Sequence, residues 1–185
     1  MGKELPVYLD HNATTTIRPV VRDAVARALD LTGNASSVHG AGRTARKVIE
    51  DARDQIAALV GAKSSEVVFT SGGTEANNLA IRGLDTGSKR PRVLASAVEH
   101  VSVLKAAANV EPIAVDAQGV VDLAALDAML AESPAEAAPA LVSVMLANNE
   151  TGVIQPVAEV AAIAETHGAL VHCDAIQAAG KIPVD

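Results

Sequence analysis

Short runs of β-type residues alternate with segments of helical periodicity along this chain of 185 residues. The clearest run, 140–146, is almost continuously apolar, as a parallel strand buried on both faces has to be. Such alternation is typical of an α/β domain with a mainly parallel sheet flanked by helices. The predicted strands are 7–9, 67–70, 93–95, 112–115, 140–146 and 169–172. The predicted helices are 19–31, 41–60, 74–82, 122–131, 156–168 and one that begins at about 101, and 133–139 is predicted to be a loop.

Composition excludes several kinds of partner. Lys and Arg total 15 against 22 Asp and Glu, which gives a net charge of -7, so no basic surface for nucleic acid or an anionic membrane is expected. Aromatic residues make up only 1%, which argues against stacking platforms for single-stranded nucleic acid. No apolar run reaches the roughly 18 residues of a membrane span. The single cysteine, Cys173, and the absence of an apolar signal-peptide core indicate the cytoplasm.

Polar clusters follow four of the predicted strands, at the place where ligands bind in open α/β sheets. Because parallel strands bring their carboxyl ends to one edge, these clusters are expected to share that edge. The clusters are Thr70 with 71–75, Glu99 with His100, residues 148–152, and Asp174 with Gln177.

Each cluster on its own allows a structural and a functional interpretation. The turn Ser71-Gly72-Gly73-Thr74 could bind an anion through the helix N-terminus, or it could be a tight turn with a Thr cap. Asp174 could pair with a cationic ring nitrogen, or it could cap a helix. Glu99 and His100 could cap the next helix or titrate. His172-Cys173-Asp174 alternates in a strand, so its side chains do not converge and no metal site is predicted.

In this order, the motifs resemble the N-terminal part of a cysteine desulfurase, a pyridoxal-phosphate enzyme of the class V aminotransferase superfamily with the type I fold. The resemblance covers essentially the whole chain. It implies an incomplete large domain of three α/β/α layers over 19–185, with 1–18 joining the small domain. The matching segments are Val7-Tyr8-Leu9-Asp10 with 12–15, Gly33 to His39, Val68 to Asn77, Glu99-His100, Val144 to Gly152, and His172 to Lys181.

The resemblance also implies a role for each site residue. Gly73 and Thr74 hold the cofactor phosphate, Asp174 pairs with the pyridinium nitrogen, and two amide side chains contact the phenolic oxygen. His100 is the implied catalytic residue, since it stacks on the pyridine ring and transfers protons. The implied cofactor-binding residues are Gly73, Thr74, His100, Asn149, Asp174 and Gln177. The implied substrate-side residues are Asn12, Ala13, Thr14, Asn34 and Asn149.

Two reactive groups of the family have no counterpart in this sequence. The Schiff-base lysine lies in a Ser-Gly-His-Lys motif one strand beyond Asp185, and the cysteine that accepts sulfur lies further on. Lys181 does not match that lysine, and Cys173 is expected to be a small core residue. The chain is therefore expected to be an N-terminal fragment that is inactive alone.

The partners implied by the family are L-cysteine, sulfur-acceptor or iron–sulfur scaffold proteins, and a second copy in a homodimer when the enzyme is complete. Two alternatives stay open. One is a different class V enzyme, such as a selenocysteine lyase or a small-molecule aminotransferase, although the matches at 148–152 and Gln177 favour the desulfurase. The other is a non-catalytic half-domain that associates with a partner chain.

Overall fold

A computed structural model describes residues 7–84, 92–132 and 139–184. They form two compact units, one of residues 7–69 with Val184, and one of residues 70–183 with the same gaps. The predicted domain boundary after residue 18 stays a prediction. Most of the predicted loop at 133–139 lies outside the described residues.

The first unit consists of two helices and a short 3₁₀ turn. Helix α1 spans Pro19–Leu29 and α2 spans Gly40–Leu59, so both helix predictions are confirmed, and the 3₁₀ turn spans Ser64–Glu66. The predicted start at Pro19 is correct because proline at the first helical position loses no helix hydrogen bond. Gly61 follows α2 with a φ of 63°, a left-handed conformation that ends the helix there.

Two predicted strands are wrong. Residues 7–9 form no strand, and Val7 and Leu9 are 81% and 83% exposed. Residues 67–70 form none either, and the carbonyl of Val67 accepts a hydrogen bond from the Arg53 guanidinium instead of from a neighbouring strand. A strand exists only where a neighbour completes its backbone hydrogen bonds, and among the described residues neither segment has one.

The second unit contains a parallel sheet of four strands in the order β2-β1-β3-β4. All four agree with predicted strands, although their bounds differ: the strand predicted at 93–95 is one residue longer, the strand at 112–115 begins two residues earlier, and the strands at 140–146 and 169–172 are shorter. The segment predicted at 112–115 begins at Val110, and Val115 instead forms an isolated bridge with Val121. The strands are β1 Val93–Ser96, β2 Val110–Ile113, β3 Leu141–Ser143 and β4 Leu170–His172.

Helices cover both faces of this sheet, which confirms the three-layer α/β/α prediction. Leu94 and Val142 face a core cluster that includes residues of α5 and α6. Their strand neighbours face the opposite way, into a cluster with residues of α3 and α4, since side chains alternate along a strand. The helices are α3 Gly73–Gly83, α4 Val101–Leu104, α5 Leu123–Ala131 and α6 Val157–Thr166.

Local signals end or begin several of these elements as predicted. The Asp122 carboxylate caps α5 by accepting from the N–H groups of Ala124 and Ala125 at 3.0 Å. Gly168 follows α6 with a φ of 64°. Across the described ranges, no helix combines the length and the apolar character needed to cross a bilayer.

Candidate functional site

Three of the four predicted polar clusters lie at one edge of the sheet. Strands β1, β3 and β4 are parallel neighbours, and each leads at its carboxyl end into one cluster. These ends supply His100, Asn149 and Asp174 respectively. The fourth cluster stands at the N-terminus of α3 and is joined to Asp174 through Asn77 of that helix.

The Asp174 carboxylate is oriented by hydrogen bonds at both oxygens. Oδ2 accepts from Nδ2 of Asn77 at 2.8 Å, and Oδ1 accepts from the backbone N–H of Ile176 at 3.1 Å. Its own carbonyl accepts from the N–H of Leu146 at 3.0 Å, which ties the residue to the end of β3. None of the ion pairs among the described residues involves Asp174. Asp174 is therefore a positioned carboxylate with no cationic partner in the described ion pairs. Such a carboxylate is suited to pair with a charged ring nitrogen.

His100 is the N-cap of α4, so the capping interpretation is confirmed for this residue. Its Nδ1 accepts from the backbone N–H of Ser102 at 3.2 Å and lies 2.7 Å from the Ser102 hydroxyl oxygen. An acceptor Nδ1 places the proton of the neutral ring on Nε2, a tautomer assigned from these hydrogen bonds. The ring is exposed, which leaves that N–H accessible.

Asn77 belongs to the site although its role was not predicted from the sequence. It is buried, with 4% of its surface exposed, and its Nδ2 donates to both Asp174 Oδ2 and Ser102 Oγ, at 2.8 and 2.9 Å. The available signal was a second polar residue on the inward face of α3, three positions after Thr74. Buried amides need partners, so that position pointed to a polar network.

Glu99 is buried beneath the site. Oε1 accepts from the N–H of Met145 at 2.5 Å, while Oε2 has no hydrogen-bond partner among the described residues. Burial raises the pKa of this carboxyl to about 7, and the nearby charge of Asp174 adds to that effect. The Ser143 hydroxyl favours the ionised form slightly, but its own hydrogen bond is with His172 Nδ1, at 2.8 Å. The carboxyl is thus close to half-protonated at neutral pH.

His172 and Cys173 lie beside these carboxyls and are also affected by burial. Burial lowers the pKa of His172, against the opposing influence of Asp174. Burial raises the pKa of the Cys173 thiol to about 11, with Glu99 and Asp174 contributing in the same direction. Cys173 is therefore a protonated thiol at neutral pH and a poor nucleophile. No cluster of three or more metal-ligating side chains occurs in the part of the chain that the structure describes.

The Gly73-Thr74 turn opens α3, as predicted. The first N–H groups of a helix have no partner inside it, so this end is suited to an anion. The carboxylate of Glu75 already accepts from the N–H and the hydroxyl of Ser71, both at 2.6 Å, and the pKa of Glu75 is lowered by these bonds. A Cβ added to Gly73 would lie 4.0 Å from Cγ1 of Ile176, so the turn packs near the segment that follows Asp174.

Asn149 and His100 line the same cavity. Its volume is about 470 Å³, and its walls come from 97–101, Leu104 and 148–151. The turn that presents Asn149 is built on buried Asn148, whose Oδ1 accepts from the N–H groups of Glu150 and Thr151 at 2.9 Å. Its Nδ2 donates to the carbonyl of Val98 at 3.0 Å. Asn148 thus fixes the 148–152 turn to the segment that carries His100.

The remaining predicted residues are Gln177, Asn12, Ala13, Thr14 and Asn34. Gln177 is partly buried and its Oε1 accepts a hydrogen bond from Lys181. Asn12, Ala13 and Thr14 form an exposed turn in the first unit, closed by hydrogen bonds to the carbonyl of Asp10. Asn34 is in the same unit, where its Oδ1 accepts from the N–H of Ser36 at 2.8 Å. The substrate-side role of these four residues stays a prediction.

The family model for class V aminotransferases matches residues 7–185. The chain therefore belongs to the class V aminotransferase family, on a fold whose parallel sheet and flanking helices agree with that assignment. Within the family, it is 46% identical to a cysteine desulfurase of Sinorhizobium fredii, over 97% of this chain and 48% of the relative. It is 44% identical to an IscS-like cysteine desulfurase of Mycobacterium tuberculosis, over 96% of this chain and 48% of the relative.

Solved structures give the same picture. A NifS-like protein from Rickettsia africae superposes with a TM-score of 0.88 at 40% identity, covering 97% of this chain and 50% of that one. A structure described as SspA in complex with cysteine has a TM-score of 0.85 at 29% identity, covering 96% and 53%. The chain thus spans about half the length of the relatives it matches, which fits the predicted resemblance to an N-terminal portion.

Proposed function

We propose that this chain forms the cofactor-binding part of a pyridoxal-phosphate-dependent cysteine desulfurase. Such an enzyme converts L-cysteine to L-alanine and passes the sulfur on as a persulfide. The observation that carries the proposal is Asp174, whose two oxygens are oriented by Asn77 and Ile176 and which has no cationic partner among the described residues. The names of the most similar relatives support the same reaction class.

The residues present fit pyridoxal phosphate at both of its charged ends. The oriented carboxylate of Asp174 suits a protonated ring nitrogen, because an opposite charge and fixed geometry stabilise the pair. The N-terminal turn of α3, with Gly73 and Thr74, suits the phosphate. A Cβ at Gly72 would meet no described atom within 4 Å, so backbone N–H groups at this turn are not crowded by side chains.

When bound, the cofactor supplies an electron sink for the bond broken at the substrate. The chain's own residues would do the rest. Asp174 would hold the proton on the ring nitrogen, and His100 would offer a proton at Nε2. Asn149, beside His100 in the same cavity, would orient polar groups of the cofactor or of the substrate. Gln177 would add a contact to the phenolic oxygen of the cofactor.

Further parts of the proposal concern partners and place. The substrate is L-cysteine, the sulfur goes to acceptor or iron–sulfur scaffold proteins, and the complete enzyme is a homodimer in the cytoplasm. The sequence contains no Ser-Gly-His-Lys motif, and its one cysteine is a partly buried thiol with a raised pKa. We therefore expect that these 185 residues alone release no alanine from cysteine.

Cofactor binding tests the proposal directly. The chain is titrated with pyridoxal phosphate and, in parallel, with pyridoxal, and binding is measured by equilibrium dialysis. Preference for the phosphorylated form, lost in Thr74→Ala, is expected. Equal binding of the two compounds, or none, would contradict the cofactor assignment.

Activity is tested in a protein that joins this chain to the second half of the Sinorhizobium relative, the part of that relative that this chain does not match. Alanine formation from L-cysteine is expected, and Asp174→Ala should slow it severely. Asp127→Ala is the matched control, since Asp127 is on α5 and bonds His167 at 2.7 Å, outside the site. If the joined protein leaves cysteine unchanged but converts another amino acid or selenocysteine, the desulfurase assignment is wrong, although the family assignment stands.

A further inference from the structure

The side chains of four residues form a continuous hydrogen-bonded network: Asp174, Asn77, Ser102 and His100. Asn77 Nδ2 lies 2.8 Å from Asp174 Oδ2 and 2.9 Å from Ser102 Oγ, and that oxygen lies 2.7 Å from Nδ1 of His100. The two middle residues are buried, at 4% and 8% exposure. The network joins α3, α4 and the segment after β4, so it links residues that are far apart in sequence.

Asp174 sets the direction in which the hydrogen bonds of this network run. A carboxylate only accepts, so the amide of Asn77 must turn its NH₂ group toward Asp174. The second hydrogen of that NH₂ group points to one of the two lone pairs of Ser102 Oγ. The NH₂ group offers no acceptor in return, so the hydroxyl hydrogen of Ser102 donates to Nδ1 of His100. The backbone N–H of Ser102 donates to the same atom.

We propose that Asn77 is a positioning residue that, oriented by Asp174 and acting through the Ser102 hydroxyl, keeps the proton of neutral His100 on Nε2. The significance of this inference rests on the proposed function. There, Asp174 would pair with the ring nitrogen and, through Asn77 and Ser102, would also determine which nitrogen of His100 can donate. Asn77 itself hydrogen-bonds Asp174 and Ser102, so it acts on His100 only through the Ser102 hydroxyl.

The test reads the tautomer directly. Nitrogen-15 NMR of the chain without added cofactor, at mildly alkaline pH where histidine rings are neutral, separates protonated from unprotonated ring nitrogens. His100→Gln identifies the resonances among the five histidines of the chain. In the wild type, Nε2 of His100 is expected to carry the proton and Nδ1 to be an acceptor.

Asn77→Asp should reverse the Ser102–His100 hydrogen bond. The carboxyls at 77 and 174 would share one proton between them, so nothing at 77 donates to Ser102. The Ser102 hydroxyl then turns toward the second oxygen of the new carboxyl, and Ser102 Oγ becomes an acceptor for a proton on Nδ1. About a tenfold change of the tautomer ratio toward Nδ1–H is expected, the equivalent of one hydrogen bond. Asn78→Asp is the matched control, because it makes the same substitution at the next residue of α3, whose amide donates to the carbonyl of Thr74 at 2.8 Å. That control should leave His100 unchanged.

Ser102→Ala keeps the test decisive if Asn77→Asp does not fold. This variant removes the hydroxyl but keeps the backbone N–H, so the Nδ1 resonance should shift and Asn77→Asp should add nothing in its background. An unchanged His100 spectrum in a folded Asn77→Asp or Ser102→Ala chain overturns the proposal, as does an equal shift in Asn78→Asp. Because no cofactor is present, failure to bind pyridoxal phosphate would refute the proposed function and leave this result standing.

Discussion

The backbone N–H of Met145 lies 2.5 Å from Oε1 of Glu99 and connects the end of β3 to the segment that follows β1. The second carboxyl oxygen of Glu99 has no such partner among the described residues. A buried carboxyl with one satisfied oxygen is more easily accommodated when it is protonated. Between about pH 4.5 and 7 the folded chain therefore holds a proton at Glu99 that the unfolded chain would release.

Glu99→Gln should consequently change how stability depends on pH. The pKa of Glu99 rises from an ordinary value of 4.5 to about 7 on folding, so between these values the folded state binds the extra proton. Stability contributed by this group is full below 4.5 and is lost as pH rises toward 7, by on the order of 2–3 kcal/mol. Glu99→Gln should not show this decrease in stability. Denaturant unfolding of both proteins at a series of pH values measures the difference in the free energy of unfolding.

Two comparisons make that result specific to Glu99. Glu159→Gln makes the same change at an exposed position of α6 and is the matched control. His172 acts with the opposite sign, because its lowered pKa makes stability rise with pH, but it is present in all three chains and its effect should largely cancel. Parallel curves for Glu99→Gln and the wild type would show that Glu99 is ionised in the fold.

Asp174→Ala and Thr74→Ala should separate the two ends of the cofactor site. Thr74→Ala removes a donor to a charged phosphate and should weaken retention of pyridoxal phosphate by about 1.5–3 kcal/mol. Asp174→Ala leaves the phosphate turn intact, so in a protein that carries the reactive lysine it should weaken binding modestly and slow turnover severely. Cofactor affinity and single-turnover rate are the measurements, and normal turnover in Asp174→Ala would contradict the assignment.

Much of the site could be predicted from the sequence because its parts are local. Gly73, Thr74 and Asp174 each directly follow a strand or open a helix, where turn chemistry and helix ends can be interpreted without tertiary information. The sharing of one edge by His100, Asn149 and Asp174 followed from the parallel sheet alone, and the sheet confirms it.

The rest depends on contacts between distant segments. Asn77 meets Asp174 across 97 positions, and Glu99 meets Met145 across 46, so no local pattern indicated either bond. The wrong strand at 67–70 has the same origin. Its residues have β-type composition, but whether they pair depends on a neighbour that composition does not reveal.

Cys173 should be nearly inert to alkylation in the folded chain. Burial and the charges of Glu99 and Asp174 raise its pKa to about 11 from an ordinary 9.0, so the thiolate fraction at neutral pH falls roughly a hundredfold. Iodoacetamide labelling should be slow in buffer and fast in denaturant. Asp174→Asn should speed it by removing a like charge, whereas Asp127→Asn should not. Rapid labelling of the folded wild type would contradict the raised pKa of this partly buried thiol.

Asn148→Ala should destabilise the turn that presents Asn149. The substitution leaves the N–H groups of Glu150 and Thr151 and the carbonyl of Val98 without their partner, at a cost of about 1–3 kcal/mol for each group that water does not reach. Hydrogen exchange should accelerate at 150–151 before it does elsewhere in the sheet. Glu150→Ala is the control, since it shortens an exposed side chain of the same turn and keeps every one of these bonds.

Gly42→Ala should disrupt the loop that carries Asn34. A Cβ at Gly42 would lie 2.4 Å from the carbonyl oxygen of Ser37 and 2.7 Å from that of Asn34, both of them backbone atoms that cannot move independently. A loss of about 1–3 kcal/mol in the free energy of unfolding is expected. Gly40→Ala is the matched control, because its Cβ would meet only the flexible end of Arg43 at 4.0 Å. As alanine favours helices over glycine, Gly40→Ala should be neutral or stabilising. Equal unfolding free energies for the two variants would show that the carbonyls of Ser37 and Asn34 do not lie against Gly42.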